Sequence, residues 1–425
     1  MSRLEKYTTY KDSGVEWLGE IPEGWETLSN KNIFKIKQKL VGKKSSEYDL
    51  LSLTLKGIIK RDMENPQGKF PAEFNTYQEV KQGDFVFCLF DVEETPRTVG
   101  LSQFDGMITG AYTVMTTKGI DKDYLYYFYL NLDSSKRFKP LYRGLRNTIP
   151  KDSFFSFKTF IPPKEEQTKI ASFLDEKTAQ IDKAISQKEK LIELLKERRQ
   201  ITINEAVTKG LDKDVEFKDS GVEWIGEIPK HWEISKVKNI FKLIIEPAPK
   251  ANDEELLSIY TDIGVRPRKD LAEKGNKAST TDGYWRVKKG DFIVNKLLAW
   301  MGAIGLSEYE GVTSPAYDIL RAKKDIVGIY YHELFRLKVF SQEMKKYSRG
   351  IMDMRLRLYF DKFGDILIPY PSHNEQLKIV KYIDNQNEKI NKAIELQQNY
   401  IAKLKEYKTS LIDSVVTGKL RVCDE

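Results

Sequence analysis

A chain of 425 residues, 40% hydrophobic and 31% charged, is long enough for two or three domains with cores of their own and polar enough to be soluble. Its two cysteines, Cys88 and Cys423, and three histidines, His231, His332 and His373, exclude a disulfide framework and the usual zinc ligand sets. A net charge of +7 permits contact with a polyanion without demanding it.

The chain opens on a stretch without the apolar core of a signal sequence, and no later run approaches the roughly 18 to 20 apolar residues that span a bilayer. A cytoplasmic protein with no membrane contact is expected. Residues 11–26 read KDSGVEWLGEIPEGWE, followed by KNIFKI from Lys31 and VKQGDFVF from Val80. Short aromatic and β-branched runs at 48–55, 84–90 and 111–116, punctuated by Gly, Pro and Asp, predict strands of a twisted sheet, and 123–131 predicts a helix. Pro163, Glu165 and Glu166 are residues favoured in a first helical turn. From there positions 167, 170, 174, 177, 181, 184, 188, 191, 195, 198 and 202 step by three and four with no Gly or Pro between them. This predicts one long helix with a narrow apolar stripe carried by Ile170, Leu174, Ile181, Leu191 and Leu195. Gly210 stands where a C-terminal glycine cap belongs.

The chain then begins again. Residues 218–233 read KDSGVEWIGEIPKHWE, 207 residues after the first copy, and KNIFKL and VKKGDFIV return at the same offset. Strands are predicted at 256–260, 291–295 and 316–321, and helix at 328–344. Ser372 and Glu375 form a capping box that opens a second long helix, closed by Gly418. Its stripe lies 209 residues after the first and includes Ile379, Ile383, Ile390, Tyr400 and Leu404. A period this long means duplicated domains rather than a solenoid.

The expected fold class is α/β (α+β). A first globular domain is placed at 1–160, a spacer helix at 161–210, a linker and second domain at 211–367, a second spacer helix at 368–420 and a tail at 421–425. The matching stripes predict an antiparallel coiled coil with a domain at each end and pseudo-two-fold symmetry. The chain termini should then meet at the place equivalent to the middle linker, making the architecture nearly circular.

Catalysis finds little support. The sequence has no G-x-G-x-x-G opening a helix, no G-x-x-x-x-G-K-[ST], no H-E-x-x-H and no Asn-Pro-Pro-aromatic run. Nucleic-acid binding fares better, because the copies diverge most in basic, loop-like segments. Residues 88–100 read CLFDVEETPRTVG where 295–305 read NKLLAWMGAIG; Arg97 and Thr98, and Lys296 and Trp300, could reach base edges or phosphates. A glycine turn followed by cations supplies Lys56, Lys60 and Arg61 in the first copy and Arg266 and Arg268 in the second. A third pair of segments supplies Arg143 and Arg146 against Arg349 and Arg355. Three basic loops per domain can cradle a phosphate backbone. Trp17, Trp25, Trp224 and Trp232 are expected to pack the domain base. The competing readings are a coiled-coil scaffold with no sequence-specific DNA binding and a self-contained DNA methyltransferase.

The doubled KDSGVEW-GEIP entrances, the GDFVF and GDFIV strands, and the IPPKEEQTKIASFLDEKTAQID and IPYPSHNEQLKIVKYIDNQNEKIN helices resemble the specificity subunit of type I restriction-modification enzymes. The run 297–303, LLAWMGA, also resembles one common type of target-recognition domain in that family; the first copy departs from it. The resemblance implies a non-catalytic reader of double-stranded DNA, each globular domain recognising half of a bipartite asymmetric site and the helices fixing the gap. It implies assembly with two adenine methyltransferase subunits and with nuclease/translocase subunits. No cofactor is expected on this chain; S-adenosylmethionine, ATP and Mg would sit on the partners. It also implies a docking face on the helices, for which Lys183, Lys190 and Glu197 are candidates.

Overall fold

The computed structural model describes residues 3–63, 73–95, 97–250, 252–270, 281–350 and 356–423. Two compact units emerge: residues 1–189 with 398–425, and residues 190–397.

In the first unit four strands, β1 (Phe34–Ile36), β2 (Phe85–Phe87), β3 (Val99–Leu101) and β4 (Thr113–Thr117), form an antiparallel sheet in the order β3-β2-β4-β1. The alternation of a strand sorts its side chains to two faces. Phe85 and Phe87 meet Phe34, Phe154 and Tyr129, the last from helix α1 (Lys122–Ser134), with ring centroids 4.8 to 6.1 Å apart. Val86, between them, faces an aliphatic layer with Leu51, Leu53 and Ile58 from a hairpin of Leu51–Thr54 with Gly57–Lys60. Helix α2 (Lys164–Lys209) follows; residues 164–189 belong to this unit and the remainder to the next.

The second unit repeats the plan. Strands β5 (Phe241–Ile244), β6 (Phe292–Asn295), β7 (Ile304–Leu306) and β8 (Tyr317–Ala322) pair antiparallel in the order β7-β6-β8-β5, equivalent to the first sheet strand by strand. Phe241 and Phe292 pack against Tyr331 and Phe335 of α3 (Gly328–Phe335), while Ile293 faces the hairpin of Leu257–Tyr260 with Gly264–Pro267. The single helix predicted at 328–344 is two: α3 ends at Phe335, capped by Arg336, and α4 (Lys338–Tyr347) begins after Leu337, which takes an extended conformation. Among the described residues the paired strands are antiparallel and parallel contacts are limited to isolated bridges, Leu50 with Met107 and Leu256 with Val312, the mark of an α+β arrangement.

The doubled sequence motifs are doubled anchors. Each KDSGVEW segment is a hairpin, Tyr10–Asp12 with Glu20–Pro22 and Phe217–Asp219 with Glu227–Pro229, turned by Gly14 (φ +68°) and Gly221 (φ +70°), whose N–H groups donate to Asp12 and Asp219. Trp25 and Trp232, each 1% exposed, donate their indole N–H to Glu166 and Glu375 in the first turns of α2 and α5 (His373–Val416). Trp17 and Trp224 are half-buried against Phe160 and Phe340, as base packing requires. Burial pushes the Glu375 carboxyl up, but hydrogen bonds with His231, Ser372 and Trp232 outweigh it and hold it at about 2. The buried Gln167 and Gln376 each donate to a proline carbonyl and accept an N–H, from Asp121 and Val327 respectively. Gly210 and Gly418, both at φ +76°, close the helices under Trp232 and against Pro22. Residues Arg3–Glu5 pair antiparallel with Arg421–Cys423, so the two ends of the described chain meet in the first unit.

Within each unit the two helix segments run antiparallel. Lys408 of α5 reaches Asp182 of α2 at 2.6 Å in the first, and Arg199 of α2 contacts Asn391 of α5 in the second. These are the same two positions, 209 residues apart, with helix roles exchanged. The buried stripe, however, departs from the predicted one. Ile170, Leu174, Ile181, Ile379, Ile383 and Ile390 are buried, and Leu195 and Leu404 half-buried, but Leu191 is 41% and Tyr400 47% exposed. Ile192 and Ile401 are buried in their place, as are Thr178 and Ile185 where 177 and 184 were expected. From Ile170 to Ala206 the stripe takes ten steps over 36 residues, the 3.6-residue turn of a straight helix rather than the 3.5 of a supercoiled one.

Candidate nucleic-acid interface

The three first-copy loops singled out from the sequence are joined in the first unit. The hairpin turn at Leu55, Lys56 and Gly57 (φ +90°) is held by Thr54, whose hydroxyl accepts the Lys56 N–H and donates to the Gly57 carbonyl. Arg97 in the second loop donates to the Leu55 carbonyl at 2.8 Å. That loop is tied in turn to the third: Asp91 N–H donates to the Arg146 carbonyl at 2.9 Å, Ile149 N–H to the Leu89 carbonyl at 2.7 Å, and Asn147 to Glu93 at 3.2 Å. Lys56, Arg143 and Arg146 are exposed on this face beside Leu55 and Leu145. Lys60 is exposed but paired with Asp49 at 2.6 Å, and Arg61 is half-buried.

Two first-copy candidates serve the scaffold instead. Thr98 is fully buried and its N–H donates to Asp133 of α1, so its side chain is not presented to a ligand. Arg97 is half-buried, spending its guanidinium on the neighbouring turn. Both lie in a loop flanking a buried strand, where a polar group is retained when it satisfies backbone left open by the turn.

The second unit joins its loops at the corresponding places with different residues. Arg336, which sequence reasoning missed, donates to the carbonyls of Thr261 and Asp262 in the first hairpin and of Gly302 and Ile304 in the second loop, at 2.8 to 3.2 Å. The signal available was an arginine directly after a helix whose Tyr330, Tyr331, Leu334 and Phe335 are buried. Leu358 N–H donates to the Lys296 carbonyl at 2.8 Å, fastening the third segment. Lys296 itself is largely buried between Asp318 and the Pro315 carbonyl, and is therefore a structural cation rather than a free one. Trp300 is half-buried, donating to the Leu297 carbonyl, with the Lys345 ammonium 5.0 Å from its ring centre. Arg266 leans on Tyr309 at 3.3 Å and Arg268 is half-buried. Arg349 is exposed, 3.7 Å from Asp361, and pairs through its backbone with Arg357. Arg355 lies outside the described residues.

His332 completes this wall. Its Nδ1 accepts the Leu306 N–H at 3.1 Å, which requires an unprotonated nitrogen, and its ring lies against Gly264 and Gly305. A Cβ at Gly305 would sit 3.2 Å from that ring. Burial, helped by Arg336 and Arg266, pushes the imidazole down to about 4. The tips differ accordingly: the first unit presents cations around Leu55 and Leu145, and the second presents Ile263, Leu297, Leu298 and Met301, each 39 to 52% exposed. Among the described residues no group of His, Cys, Asp or Glu side chains could hold a metal ion, and no helix is long and apolar enough to cross a membrane.

Residues 102–194, from the edge of β3 into α2, match the family model described as the type I restriction modification DNA specificity domain. The chain is 23% identical over 434 aligned residues to the MjaX type I restriction enzyme specificity subunit of Methanocaldococcus jannaschii, covering 95% of this chain and 96% of that one. It is 26% identical over 270 residues to the EcoBI specificity subunit of Escherichia coli, 57% of this chain and 56% of that one. Among solved structures it shares the fold of the HsdS subunit from Thermoanaerobacter tengcongensis, with a TM-score of 0.51 at 13% identity over 94% of this chain and 98% of that one. A chain from a structural study of assembly and conformational transition in the type I R-M system gives a TM-score of 0.65 at 13% identity over 93% and 98%. With the twice-built fold and the doubled entrance motifs, the chain carries a match to the type I restriction modification DNA specificity domain at 102–194 and is similar along nearly its whole length to a type I restriction enzyme specificity subunit.

Proposed function

We propose that each unit reads one half of a bipartite, asymmetric site in double-stranded DNA, and that the long helices set the unspecified gap between the halves. The observation that carries this is the contrast between fixed anchors and unlike tips. In both units the same three loops are bound together at corresponding places, yet their exposed side chains differ in charge and size. A duplicated scaffold that holds divergent loops rigid suits two different sequences read at a set spacing, because two modest contacts become one tight one only when the linker matches the span.

The chain itself is read as non-catalytic and cytoplasmic. Two adenine methyltransferase subunits would bring S-adenosylmethionine, and nuclease/translocase subunits would bring ATP and Mg. Exposed Lys183, Lys190 and Glu197 on α2 offer the methyltransferases a polar docking face. The test is to co-express the chain with type I methyltransferase subunits from its own source and map the methylated adenines. Two unlike runs of specified bases separated by a constant gap are expected. A continuous site, or methylation without sequence preference, would refute the reading.

A further inference from the structure

The hairpin at 143–148 is a stiff, narrow finger. Arg143 N–H donates to the Thr148 carbonyl at 2.8 Å, Thr148 returns the bond at 3.1 Å, and Asn147 N–H closes the tip on the Gly144 carbonyl at 3.3 Å. Gly144 (φ +69°) and Asn147 (φ +43°) take the left-handed backbone that so tight a tip needs. Its base is pinned by the bonds to Leu89 and Asp91 described above. At the apex stands Leu145, at 105% the most exposed large apolar side chain among the described residues, between the exposed Arg146 and the exposed Arg143, one nitrogen of which donates to the Pro140 and Tyr142 carbonyls and leaves the rest of its guanidinium at the surface.

An apolar side chain held out by a rigid tip between two cations is complementary to an apolar group inside an anionic groove. The major groove of DNA, about 12 Å wide, admits elements as broad as a two-stranded ribbon, so a turn closed by one pair of backbone bonds has room there. On the major-groove edge of the base pairs the apolar group is the C5-methyl of thymine.

We infer that Leu145 is a specificity-determining residue of the first unit, packing on the methyl group of one thymine in the major groove while Arg143 and Arg146 hold neighbouring phosphates. This rests on the proposed DNA reading and names the base contact that the first unit makes. The first half of the site therefore contains a T·A pair under the finger.

The experiment uses the full chain assembled with its methyltransferase subunits and duplexes in which each thymine of the first half-site is replaced singly by uracil, which removes only the methyl. Wild type should lose affinity about four-fold at one thymine, as expected for one buried methyl. Leu145→Ala should bind the thymine duplex about that much more weakly and ignore the uracil, whereas Leu145→Met should stay sensitive. Arg143→Ala and Arg146→Ala should weaken all duplexes alike, each reducing the salt slope by about 1. Indifference of wild type to uracil throughout the first half-site, a half-site without thymine in either strand, or a Leu145→Ala variant with the wild-type uracil response would overturn the inference. Wild type without any sequence preference would overturn the DNA reading itself, and the inference with it.

Discussion

At the scale of single residues, burial and backbone demand decide which cations are free. Lys296 and Arg97 looked like ligand contacts because a basic residue in a divergent loop has no visible partner in a sequence; carbonyls brought close only by folding claim both. Lys56, Arg143 and Arg146 are exposed because each follows or flanks a glycine turn, and turn tips stay at the surface, although Arg143 also donates to the Pro140 and Tyr142 carbonyls. His332 gave no sequence signal, since its role depends on the Leu306 N–H across the unit. That bond makes a prediction about pH. With the folded imidazole held at about 4 and an unfolded value near 6.5, the unfolded chain takes the proton first. Stability of the second unit is therefore full above about 6.5 and falls as pH drops towards 4. Denaturant midpoints measured across that window should show this decline in wild type and lack that component in His332→Asn. An unchanged pH profile in the variant would show that the ring is not the titrating group.

The scale of the element is where the sequence was most readable and where it slipped. Long helices were evident because some forty residues in each copy carry no Gly or Pro, and because the stripe appears twice. The slip is one residue: over ten turns a 3.5-residue repeat and a 3.6-residue repeat differ by that amount, so alternate positions from 177 onward were assigned to the wrong neighbour. Leu191 and Ile192 test the difference directly. Ile192→Ala should cost about 2 to 4 kcal/mol in chemical denaturation because it removes a buried side chain, whereas Leu191→Ala should stay within about 0.5 kcal/mol. The reverse order would restore the supercoiled register. The break between α3 and α4 was hidden for a different reason: nothing in residues 328–344 interrupts the apolar pattern, but Arg336 ends the helix with its side chain drawn to four carbonyls.

For the whole molecule, the repeat at 207 residues was the decisive feature, and it fixed two copies of one sheet order, one aromatic layer and one set of tryptophan and glutamine anchors. What a repeat cannot reveal is the chemistry of the tips, because side-chain exposure there follows from contacts that differ between copies. The central claim is that recognition is modular: each unit contributes one half of the site through its own loops. Replacing residues 31–160 by residues 238–367 would give both units the second reading face on the scaffold both already share. Methylated adenines mapped for this variant, assembled with its methyltransferase subunits, should lie in a site whose two halves carry the same bases, the second half and the gap unchanged from wild type. Persistence of the original first half, or a change in the second, would contradict the account.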